Sequence, residues 1–314
     1  MRNSSIITKY FGTFDLNEKS RRDILYAFVF YLLCFVTGWL ASIPQLTYDP
    51  YQKSIVTKIL DICAAVGPTV WCLILNKIRP CIERPVRRSL GLGLGKRKRT
   101  LWISVFALLV TPILDISIPI AAHYAGILDL PMQEPRVRWV LIIGFIPFTA
   151  VFILPCLFEE IGWRGFLLPK LMSLGQLPAL FLSGALWGFW HIPTKLAGIN
   201  GGHLRFPFLY YFLYALVCFP FFNTLFGVLV GWTRLKSGSI WPAVIMHAAY
   251  DCTATTLPMF FAHGFPRDEH LLNSPLLSAN PLHTSITGWP GWILLSVVIA
   301  IMVVCKQLPV KDPL

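Results

Sequence analysis

Charged residues are scarce in this sequence. Asp, Glu, Lys and Arg together make up 13% of its 314 residues, against roughly 25% in soluble domains, which is too few to cover a water-facing surface. The eight cysteines are scattered, with no Cys-x-x-Cys pair. Neither a disulfide framework nor a Cys-ligated zinc is expected, because a free Cys in an apolar run behaves as a small hydrophobe. Internal repeats and low-complexity segments are missing. So are the ten-residue alternating segments that mark a membrane β-barrel. The first 23 residues are polar and basic, and the apolar run behind them is long enough to span, so no cleavable signal peptide is expected.

What is present is apolar. Hydrophobic residues make up 55% of the chain, with a mean hydropathy of +0.63, and the 23 Phe, 11 Trp and 10 Tyr exclude disorder. The apolar runs are about 20 residues long, the length of a spanning helix. The expectation is an all-α integral membrane protein with eight spans: 24–46, 55–76, 101–123, 137–173, 177–194, 207–232, 239–262 and 287–307. The fourth is too long for a simple crossing; it should bend at Pro147 or Pro155 and project from the bilayer near Leu168. The Pro-containing segment 263–286 reads as an irregular connection, and residues 1–314 as one polytopic domain. The net charge of +12 bears on topology. Most Lys and Arg fall in segments on the N-terminal side of the membrane, above all Arg87, Arg88 and Lys96-Arg97-Lys98-Arg99, which places both termini in the cytoplasm. Anionic lipid head groups, not nucleic acid, are the expected partners of that cluster.

Ionisable groups inside spans are costly and default to functional hypotheses. They fall in Glu159-Glu160-Ile161-Gly162-Trp163-Arg164, in Trp187-Gly188-Phe189-Trp190-His191, in His247-Ala248-Ala249-Tyr250-Asp251, and in the lone acids Asp61 and Asp115. Arg164 lies one turn after Glu160 and suits a Glu-to-Arg pair. That leaves Glu159 without a partner on its own helix, a candidate general base. The structural alternative is an interfacial clasp in which both glutamates pair with Arg164 and Lys170. His247 and Asp251 are also one turn apart: Asp251 can orient the imidazole, the favoured role, or join it as a metal ligand. His191 alone would read as a core histidine.

Spacing links the groups. The fourth and fifth spans are joined by a short turn near Ser173-Leu174-Gly175. Glu159 is sixteen residues before Gly175 and His191 sixteen after it, so both lie at one depth, roughly 24 Å from the turn at about 1.5 Å per residue. The seventh span enters from the same side, and His247 can reach that level.

These residues resemble the three motifs of the CPBP family, the intramembrane proteases that include type II CAAX prenyl endopeptidases and bacteriocin-immunity proteins. The pattern EExxxR is intact as Glu159-Glu160…Arg164. The pattern FxxxH is met by Trp187…His191, with Trp for Phe, and HxxxN by His247…Asp251, with Asp for Asn. The similarity covers about 150–255, the family's catalytic core. It implies an eight-span endopeptidase in which Glu159 and His191 activate a water, and His247 with Asp251 stabilises the oxyanion. An ionised Asp251 would repel that oxyanion, so it must be protonated or act by orienting His247. Alternatively Glu159, His191, His247 and Asp251 could hold a divalent metal. The implied substrate is a membrane-associated or prenylated peptide or protein. Two competing readings are a non-catalytic scaffold or immunity protein of the same fold, and a proton-coupled transporter, which the lack of paired interrupted helices opposes.

Overall fold

A computed structural model describes residues 17–46, 55–83, 85–130, 135–197, 212–261 and 281–311. The basic N-terminus, most of segment 263–286 and the first residues of the sixth expected run lie outside the described residues. Among the described residues there is no strand. The main helices are α1 (Glu18–Ser42), α2 (Ile55–Ile78), α3 (Arg97–Tyr124), α4 (Pro135–Glu160), α5 (Gln176–Trp190), α6 (Phe219–Ser237), α7 (Trp241–Phe260) and α8 (Trp289–Val304). Each expected run holds a helix, with bounds a few residues inside the expected ones in the seventh and eighth. Among the described residues, five stretches can cross a membrane by length and apolarity alone: Glu18–Ser42, Lys58–Ile78, Arg97–Tyr124, Arg138–Leu174 and Tyr214–Ser237. Helices α5 and α8, at 15 and 16 residues, are shorter than a full crossing. Exposed Phe28, Ile62, Trp102, Ile113, Ile143 and Val151 give the bundle an apolar exterior suited to lipid. The chain is an integral membrane protein.

Helix α4 continues through Pro147 and Pro155, and the departure from α geometry falls just past Glu160. There Ile161–Leu167 form a π-helical segment, closed by the Leu168 N–H bonding to the Trp163 carbonyl five residues back. Helix α2 supports the change of register. The Thr69 hydroxyl donates to the Phe158 carbonyl at 2.5 Å, and Gly162 lies so close to Pro68 that a Cβ would come within 2.9 Å of the Pro68 backbone. A short helix (Leu168–Leu171) and a 3-10 turn (Met172–Leu174) follow, and Gly175, at φ +96°, reverses the chain into α5. That backbone conformation favours glycine, and the turn is where the sequence places it.

Helices α5 and α6 meet backbone to backbone. Gly184 on α5 faces Gly227 on α6, while Gly188 meets Pro220 and Gly231 meets the Leu180 side chain. A Cβ on Gly184 would lie 2.7 Å from the Thr224 carbonyl oxygen, and one on Gly188 2.7 Å from Pro220 Cα. In lipid, close approach through small residues replaces the hydrophobic drive between helices. Gly184→Leu is therefore expected to push α5 off α6 and lower the melting temperature in detergent, at a cost of about 1–3 kcal/mol or more. An unchanged melting temperature would mean the seam is not tight.

Gly238, left-handed at φ +71°, ends α6 and turns the chain into α7. The loop after Ser89 fixes that turn: Ile240 N–H donates to Gly91 O (2.8 Å) and Ser239 Oγ to Gly93 O (2.7 Å). Helix α7 then packs against α3, α4 and α6, and α5 against α6. The four helices carrying the candidate residues or their neighbours, α4 to α7, thus share one junction.

Candidate active site

Trp187 is the platform of this junction. It is fully buried, and its indole N–H donates to Glu159 Oε2 at 3.1 Å. Its ring meets His191 edge-on at 5.4 Å and His247 at 4.9 Å between centroids. The Arg164 guanidinium lies over its face at 4.3 Å, a cation–π contact in a desolvated setting. The structure thus brings Glu159, Arg164, His191 and His247 around one indole. Glu159 and His191 are linked through Trp187, the residue at which this chain departs from the usual Phe.

Each histidine has one nitrogen committed. His191 caps α5, and its Nδ1 lies 2.9 Å from the Trp187 carbonyl oxygen. A carbonyl can only accept, so Nδ1 carries the proton and Nε2 is left with its lone pair. His247 Nδ1 donates to Glu160 Oε1 at 3.1 Å. The same oxygen receives Arg164 Nη1 at 2.6 Å, with both side chains fully buried, as the spacing of Glu160 and Arg164 predicts. Lys170 is no part of a clasp on these acids; it pairs with Asp23 on α1 (2.6 Å) and donates to the Cys81 carbonyl (2.5 Å).

Asp251 lies differently from expectation. Its Oδ2 stands 3.7 Å from His247 Nε2, beyond hydrogen-bond reach, and Glu160 orients the ring instead. Asp251 Oδ2 accepts from Cys156 Sγ at 3.4 Å. Among the described residues, the metal-ligating types that converge are Cys156, His247 and Asp251, whose donor atoms lie within 4.8 Å of one another. Glu159 and His191, expected in a metal set, are not in that group. By sequence alone Cys156 reads as a small hydrophobe. Its spacing, three and four residues before the glutamate pair on the same helix, was the available signal. Asp115 is buried on α3 and has no hydrogen bond or ion pair with the six candidate residues; its Oδ2 has no partner.

Comparison with known proteins points to the same segment. Residues 139–253 match a family described as type II CAAX prenyl endopeptidase Rce1-like, a stretch that holds all six candidate residues and Cys156. The chain is 34% identical over 107 residues to CAAX prenyl protease 2 of Methanococcus maripaludis. The aligned stretch spans 33% of this chain and 38% of that relative's length. Over this central segment, about a third of the chain, the protein is similar to the Rce1-like CAAX prenyl endopeptidases.

Proposed function

We propose that this protein is an intramembrane endopeptidase that hydrolyses a peptide bond of a prenylated, membrane-borne substrate. The observation that carries the reading is the convergence of Glu159, His191 and His247 on Trp187, inside the segment matched by the family. Polar groups that only held helices together would be expected to pair off; here Glu159 keeps Oε1 and His191 keeps Nε2 for a reactant. A water between those atoms would give its proton to Glu159 as its oxygen attacks the carbonyl carbon. His247, held through Nδ1 and protonated at both nitrogens beside the Glu160 carboxylate, would turn its Nε2–H toward the developing oxyanion. The buried Glu160–Arg164 pair keeps that ring in place. The name of the methanococcal relative supports a prenylated CAAX-type peptide as the substrate.

The test is hydrolysis of a fluorescence-quenched prenylated peptide by purified protein in detergent. Cleavage within the peptide, detected by mass, is the expected result. Tight binding without cleavage would favour the scaffold reading.

Cys156, His247 and Asp251 favour a second reading. Sulfur, nitrogen and oxygen donors with a fourth position open fit Zn²⁺. Such an ion would supply Lewis acidity at the scissile carbonyl or an activated water. In that reading Cys156 loses its proton, Asp251 stays ionised as a ligand, and Glu160 holds the His247 tautomer that leaves Nε2 free to bind. Elemental analysis separates the two. With direct water activation, wild type and Asp251→Asn contain no stoichiometric metal and Asp251→Asn keeps substantial activity. With a metal, wild type holds about one ion per chain, and both Asp251→Asn and Cys156→Ser lose it together with activity.

A further inference from the structure

Lys195 sits one helical turn beyond His191, on the short helix Ile192–Ala197, its backbone N–H bonded to the His191 carbonyl at 3.2 Å. It is half-buried. Its ammonium rests on the Phe219 ring, 4.0 Å from the centroid, and Phe219 also packs edge-on against His191 at 5.7 Å. Glu159 and Asp251 lie within its electrostatic reach. Among the described residues no carboxylate comes within ion-pair distance of it, and its ammonium lies over an aromatic face. Among the described residues, Arg164 pairs with Glu160, Lys170 with Asp23, and Arg234 donates to the Ser89 carbonyl. Among the described residues, this lysine, one turn from His191 and resting on Phe219, has no anion paired with it.

We propose that Lys195 receives the C-terminal carboxylate of the peptide substrate, making it a specificity-determining residue for chains with a free carboxyl end. The inference rests on the endopeptidase reading of the site. A peptide that enters an apolar, membrane-embedded site brings few charges, and the anion present on every such chain whatever its sequence is its terminal carboxylate. An ammonium one turn from His191 can bind that group while the scissile carbonyl lies at Glu159 and His191. It converts the cost of an unmatched charge in low dielectric into selectivity for the chain end that matches it.

The test compares one fluorescent prenylated tetrapeptide as free acid and as C-terminal amide, with a third form that is amidated but carries an Asp side chain. Binding and cleavage are both measured, on wild type, Lys195→Gln and Lys195→Arg in detergent. Wild type is expected to prefer the acid over the amide by at least about tenfold in both Kd and kcat/KM, the discrimination available to one charged contact. Lys195→Gln should bring that ratio to about one, and Lys195→Arg should keep most of it. An acid-to-amide ratio near one in wild type, or a ratio that Lys195→Gln leaves unchanged, overturns the proposal, as does restoration of wild-type binding by the Asp side chain alone. If wild type discriminates in binding but cuts none of the peptides, the carboxylate site stands and the protease reading falls. Equal cutting of acid and amide keeps the protease and removes the site.

Discussion

Replacing Glu159 by Gln is expected to slow peptide hydrolysis by about 10²–10⁴-fold, the range that positioned proton transfer contributes, with little change in melting temperature. Gln keeps the shape and can still accept the Trp187 indole N–H through its amide oxygen, a contact of 3.1 Å in the wild type, but it cannot take a proton from water. His191→Ala should lose a comparable factor, because the carboxylate and the Nε2 lone pair would hold the same water. Groups that act as a unit are not additive, so the double variant should be no slower than the worse single one. Rates of purified proteins on one peptide decide this. Near-wild-type turnover by Glu159→Gln would remove Glu159 as the base. Multiplying losses in the double variant would mean that the two groups act on separate steps.

The second large effect is on stability. Arg164→Ala would leave Glu160 buried with His247 as its remaining partner, and breaking a buried pair from one side costs about 3–5 kcal/mol. Its guanidinium also covers the face of Trp187 at 4.3 Å, so the platform loosens as well. The expected outcome is a marked fall in melting temperature in detergent and a smaller yield of folded protein. Adding Glu160→Gln to Arg164→Ala should recover part of the lost stability, since the unpaired charge is gone. A variant with an unchanged melting temperature and no activity would instead place Arg164 in the chemistry.

Some of this arrangement was written in local spacing. Glu160 and Arg164, four apart on one helix, can hardly avoid one another, and Gly175 marks the hairpin because its backbone demands a residue without a side chain. The equal count from that turn to Glu159 and to His191 predicts one level for both, and Trp187 touches each. Other features depend on partners far along the chain. The change of register after Glu160 is invisible in the apolar pattern, because α and π turns bury similar residues; Pro68 and Thr69, some ninety residues earlier, hold it. Lys170 reads as a neighbour of the glutamates, yet its carboxylate is Asp23, 147 positions away. The one-turn spacing of His247 and Asp251 is real, but Asp251 stands 3.7 Å from Nε2, while Glu160, 87 residues away, holds the ring by Nδ1 at 3.1 Å. Cys156 was hidden by its chemistry, since a thiol among apolar residues reads as packing until a carboxylate is found beside it.

The glycine seam between α5 and α6 inverts the mutational scale usual for a membrane helix. On the lipid side of α5, at exposed Phe189, aliphatic bulk is welcome and a polar change is the harmful one. One residue earlier, at Gly188, a single added methyl group already presses on Pro220. The most conservative change in hydropathy becomes the most damaging in geometry. Because Trp187 is adjacent and His191 follows one turn later, bulk added there would be felt as a displaced histidine, so loss of hydrolysis should precede loss of the fold.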